Sequence, residues 1–225
     1  QALRDYVAKI YGPRLAKLGT TPKDGESDDD RLLRNSLMSL MANTAKQPAL
    51  RAELAAKGRA VLGLGGDNAL HLDAVAPDQR GLALTMAMKE GGTEVFESLT
   101  VHLAATRDPQ LRGQLLGAMS SAVDPALVAR MHTLALEPGK LRRNELGYAT
   151  GAGDTETAAG RQARREWLDA NFEAVQVQLA PGGASLVYGY TGGMCSEAEA
   201  VTVEPKFAER LRTLEGGPRT LAQAV

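Results

Sequence analysis

An apolar residue recurs every three or four positions, in blocks of about 12 to 18 residues, along most of this chain. That spacing lays side chains along one face of a helix and never alternates as a half-buried strand does. It predicts an all-α fold. Ser27 followed by Asp30 reads as a capping box with Asp28, Asp29 and Asp30 at the helix dipole's positive end, and Leu33, Leu37, Leu40, Met41 and Thr44 form the stripe behind it. Three further starts carry proline at the first helical position: Pro48, Pro109 and Pro125. Leu50, Leu54 and Val61 follow the first, Leu111, Leu115 and Met119 the second, Leu127, Met131 and Leu134 the third. Two more blocks, around Leu82 and Met86 and around Phe96, Leu99 and Leu103, are separated by Gly91 and Gly92.

Connections this short, with each helix and its turn taking about half the 34 to 47 residues of a paired-helix repeat, predict a superhelical array of antiparallel helix pairs, a HEAT/armadillo-like solenoid. So many short helices exceed what one four-helix bundle core accommodates. The reading is of a single domain over residues 1–225, more repeat-like over 1–146 and more distinctive over 161–225. Residues 147–160 form a loop or a weak helix followed by a turn. A long helix covers 161–179, with Trp167, Leu168, Asn171, Phe172 and Val175 inside. Ser196 with Glu199 opens a helix along Val203, Phe207, Leu211 and Leu214, and Pro205 either kinks it or starts a second helix after a short turn. Aromatic residues are only 4% of the chain, so Trp167 and Phe207 are assigned to the core.

Composition excludes several function classes. Twenty-six basic against 27 acidic residues leave a net charge of −1, which argues against electrostatic attraction to nucleic acid or an anionic membrane. The longest uncharged stretch, Ala174 to Ser196, contains Pro181 and a run of glycines, so it is no membrane span. One cysteine, Cys195, permits no internal disulfide; it reads as a buried or partly buried thiol. The compartment is not legible. The chain opens at Gln1 and closes within a helical pattern, which reads as a fragment of something longer.

No catalytic constellation stands out. His71, His102 and His132 share no turn, so they read as ordinary surface or core-flanking residues rather than zinc ligands. Gly63, Gly65 and Gly66 in GLGGDN follow a helix and lack a phosphate-loop lysine, so they read as a helix terminator. The acidic run Asp24 to Asp30 lacks the ligand spacing of a calcium loop and reads as solvated charge.

Three segments carry a resemblance: EWLDANFEAV (Glu166 to Val175), LVYGYTGGMCSEAEAVTVEPKF (Leu186 to Phe207) and EGGPRTLAQAV (Glu215 to Val225). Their W-x-x-x-N helix, Cys-Ser link, v-E-x-F-F-like helix and R-x-L-x-Q helix resemble, in that order, the end of zinc aminopeptidases of the aminopeptidase N and puromycin-sensitive type. The stretches from Leu3 to Gly19 and from Asp28 to Ala42 resemble the opening helices of the same C-terminal domain. The family's second Phe is absent, since Lys206 and Phe207 stand where the resemblance leads one to expect two aromatics, and Pro205 comes just before them.

The resemblance implies a non-catalytic helical domain that caps the active site, encloses the substrate cavity and helps select peptide length. Its partners are then the catalytic domain of the same polypeptide and peptide substrates. Zinc is expected in that catalytic domain, and no cofactor in this chain. Arg219, Tyr188 and Tyr190 are the candidates for substrate-facing or interdomain contacts, the tyrosines in a glycine-flanked turn. The alternatives are a free-standing helical-repeat module that binds a peptide or protein and, further off, an independent enzyme.

Overall fold

The computed structural model describes residues 1–225 and contains helices, turns and no strand. Its contacts cluster into two compact units, residues 1–119 and 120–225.

In the first unit α1 (Ala2–Leu18), α2 (Asp28–Asn43), α3 (Pro48–Val61) and α4 (Pro77–Ala105) pack each on its chain neighbour, and α5 (Pro109–Ser120) follows. Ser27 caps α2 as the sequence suggests, its hydroxyl accepting from the Asp30 N–H at 3.1 Å. Proline opens α3, α4 and α5, where the lost N–H would have had no intrahelical partner. α4 is broken at Gly92, whose φ of 59° and ψ of −139° are open to glycine and strained for other residues. The two predicted blocks therefore exist as two helical arms. The α2 stripe is broader than predicted: Leu37 and Met41 are buried with Met38 and Ala42, while Leu33, Leu40 and Thr44 are only partly covered.

Arg34 is the largest side chain fully buried in this unit. Its guanidinium grips both oxygens of Glu26 and donates through Nε to the Gly19 carbonyl at 3.1 Å. Glu26 belongs to the acidic run expected to be solvated, so that expectation is corrected at this position. A guanidinium keeps its charge when buried, so partners of this kind are needed to offset its lost hydration. The GLGGDN segment does terminate α3, with Gly63 at a φ of 62°.

In the second unit come α6 (Pro125–Leu136), α7 (Leu146–Thr150), α8 (Ala158–Leu179), α9 (Leu186–Thr191), α10 (Glu197–Ala200), α11 (Val203–Leu211) and α12 (Gly217–Ala224). Residues 147–157 thus hold most of a short helix and a turn, and the long helix begins at Ala158, three residues before the predicted start. Leu168, Phe172 and Val175 of α8 are buried, and Phe207 and Leu211 of α11 close the same core. Phe172 and Tyr190 flank Phe207 at centroid distances of 5.4 and 4.8 Å. Pro205 falls in the first turn of α11, where an N–H has no carbonyl to reach, so the chain makes a short turn after Ser196 and then a separate helix. Two core assignments change. Trp167 is only partly buried and Cys195 is exposed.

Candidate functional site

The geometry of α12 is set by a close approach at its start. Gly216 caps it in the left-handed region at a φ of 68°, and a Cβ on Gly217 would lie 1.8 Å from the Leu211 carbonyl oxygen. Only glycine permits that contact, and Pro218 then opens the helix. Leu221 turns inward and is buried, which leaves Arg219 and Gln223, one turn apart, on an exposed face. α9 packs against α12. It buries Leu186, Val187 and Tyr190 and exposes Tyr188, whose hydroxyl donates to the Gln223 amide oxygen at 3.0 Å.

Two of the three candidates therefore meet on one surface. Tyr188 bonds Gln223, the glutamine of the R-x-L-x-Q helix, and Arg219 stands one turn before Gln223 on the same exposed face. The tyrosines stand on a helix rather than in a turn. Tyr190 lies in the core, its ring edge-on to Phe207, its carbonyl accepting from Arg165 Nε at 3.2 Å, and Lys206 Nζ 5.2 Å from its ring centre.

Charges on α8 fix this layer from behind. Asp169 accepts from Lys206 at 2.5 Å and Arg210 at 2.6 Å. Hydrogen bonding to Lys206, helped by Arg210, holds the Asp169 carboxyl below its ordinary range, and the same bond raises the Lys206 ammonium. Glu199 accepts from the Cys195 N–H, the Ser196 hydroxyl and Arg165, each at 3.1 Å. The Cys195 N–H is the main cause of its lowered pKa. Asn171 donates to the Trp167 carbonyl at 2.8 Å, so the W-x-x-x-N spacing bonds a side chain back to its own helix.

The histidines do not form a ligand set. His71 pairs with Asp67 at 2.8 Å on an exposed turn, His102 is buried near the end of α4, and His132 of α6 stacks on Trp167. No three His, Cys, Asp or Glu side chains come together as metal ligands. No helix is long and apolar enough to cross a membrane.

The model of the ERAP1-like C-terminal domain matches residues 1–225. The chain belongs to that family. It is thus a non-catalytic C-terminal domain of an aminopeptidase, and a catalytic domain is its implied partner. No curated protein matches the chain. In this ERAP1-like domain the four motif elements all lie in the second unit, on α8, at the start of α10, on α11 and on α12.

Proposed function

We propose that this ERAP1-like domain caps the active site of a zinc aminopeptidase, helps enclose the substrate cavity and helps select peptides by length. The exposed surface of α9 and α12 supplies the polar contacts. One observation carries the reading. Arg219 is exposed without a carboxylate partner of its own, beside a Tyr188–Gln223 pair already held in place by a hydrogen bond. A guanidinium so placed suits a carboxylate or carbonyl on a facing domain or a bound peptide. The zinc this reading requires is assigned to the catalytic domain, as the resemblance to zinc aminopeptidases implies.

The test uses the intact aminopeptidase carrying Arg219→Ala, with a ladder of peptides of increasing length and a short chromogenic substrate. A lost charged hydrogen bond of about 1 kcal/mol changes kcat/KM by about fivefold on the peptides that reach this surface. The short substrate and the zinc content stay unchanged. An unaltered length profile removes Arg219 from the proposal.

A further inference from the structure

α1 is apolar on two sides. Val7 and Leu15 turn toward α2 and are buried in one cluster with Leu37, Met38 and Met41. Leu3, Tyr6 and Ile10 stand three and four residues apart, which lines them up along a second face. That face is open: Leu3 is 65%, Tyr6 61% and Ile10 49% exposed. Arg14 and Lys17, one and two turns beyond Ile10, are exposed and make the far end of the same face basic. Asp5 and Lys9 hold a separate polar sector.

The neighbouring helix shows the contrast. On the outer side of α2, Leu32 is exposed among Ser36 and Ser39. A single exposed leucine in a polar surface is ordinary, whereas three large apolar side chains aligned on one helix face mark a contact surface. A helix that is apolar on opposite flanks is one that is covered on both. The end helices of a stacked array carry a polar outer face, and the outer face of α1 is a leucine, a tyrosine and an isoleucine.

We propose that α1 is an interior member of the helical array, and that Leu3, Tyr6 and Ile10 seat a helix of the same polypeptide lying upstream of Gln1. Membership of the family makes this a C-terminal domain, so the polypeptide that carries the catalytic domain reaches it from the α1 side. A segment tethered beside Leu3 has an effective concentration that a separate partner or a second copy does not reach. The stacking rule of this unit selects a helix as the occupant: α1 packs on α2, α2 on α3 and α3 on α4, and an upstream helix on α1 continues the series. A short connection makes that helix antiparallel to α1, so its first turn lies near Arg14 and Lys17. Acidic residues there suit both its own dipole and those two cations. The inference rests on family membership and uses nothing of the α9 and α12 surface.

The test uses the intact aminopeptidase carrying the photoreactive substitution Tyr6→p-benzoylphenylalanine, with the cross-linked peptide identified by mass spectrometry. The expected product is an intramolecular cross-link to a segment within about 30 residues upstream of Gln1, the length of one helix and a short link. The same probe at Lys9, in the polar sector, does not capture that segment. Capture of a second copy, of a segment elsewhere in the polypeptide, or of nothing overturns the proposal, as does the same capture from both positions. A second measurement needs no substitution: hydroxyl-radical labelling of Tyr6 in the intact enzyme, native against urea-unfolded. Beneath a helix Tyr6 is protected about tenfold. A Tyr6 as open as the 61% seen here is protected about twofold or less, and that result overturns the proposal too.

Discussion

The imidazole of His132 lies flat on the indole of Trp167, ring centroids 3.9 Å apart and planes within 16° of each other. The stack joins α6 to α8 and covers one face of the tryptophan, which is otherwise only partly buried. Burial pushes the His132 imidazolium down to about 4, against the opposing effect of its bond to Ala152.

A pH dependence follows from that depression. Between about pH 6.5 and 4 the unfolded chain binds a proton at His132 that the folded chain refuses, so stability falls as the solution is acidified. From pH 7 to pH 5 the loss is about 2 kcal/mol. Asp169 and Glu199, held below their ordinary values, titrate in a lower window. Urea unfolding at the two pH values checks this, and His132→Phe flattens the difference. An equal slope in the variant assigns the effect elsewhere.

The buried pair of Arg34 and Glu26 makes a second prediction. Arg34→Ala leaves the Glu26 carboxylate and the Gly19 carbonyl without their donor and opens a space where a fully covered side chain stood, so the variant is less stable than the unsubstituted chain. Arg34→Met combined with Glu26→Gln removes both charges and recovers most of the loss. Denaturation midpoints of the single and double variants decide it; a double variant less stable than Arg34→Ala contradicts the account.

Helix starts were legible because their chemistry is local. Ser27, Pro48, Pro109, Pro125 and Ser196 all stand where their side chains or missing N–H groups suit the first turn. The break at Gly92 was legible for the same reason. What periodicity does not carry is which polar group a neighbouring helix will cover. Glu26 sits in a run of acids that looks solvated, and only the approach of Arg34 from α2 makes it a partner. Tyr188 and Tyr190 are two residues apart on either side of Gly189, yet the helical turn of α9 sends one outward to Gln223 and the other under Phe207. The Tyr188–Gln223 bond spans 35 residues, a distance that no local motif encodes.

Asp169 holds two cations at once, which predicts a loss larger than that of a single surface pair. All three side chains are about a third exposed, so solvent screening limits Asp169→Asn to about 1 kcal/mol at pH 7. Because the folded Asp169 carboxyl lies below its ordinary value of 3.8, the contribution is present above that pH and is lost as pH falls through the folded value. The difference between Asp169→Asn and the unsubstituted chain therefore narrows in acid. Thermal melts from pH 7 down to pH 3 check the trend, and a constant difference argues against it.

Two glycines inside helices should respond to alanine with opposite signs. Replacing a helical glycine by alanine ordinarily stabilises by about 0.5 to 1 kcal/mol, because the unfolded chain loses freedom and the helix gains propensity. At Gly81 of α4 the nearest atom to an added Cβ is the flexible Gln114 side chain, at 3.9 Å, so Gly81→Ala should gain about that amount. At Gly58 of α3 the same atom would stand 2.2 Å from the Ala83 carbonyl oxygen and 2.8 Å from the Ala87 Cβ. Both obstacles belong to the packed face of α4 and neither is the end of a movable side chain. Gly58→Ala must therefore push α3 and α4 apart, at a cost of about 1 to 3 kcal/mol. Chemical denaturation of the two variants in parallel reads the sign directly: stabilisation by Gly58→Ala would show that α3 and α4 do not approach as closely as these contacts require.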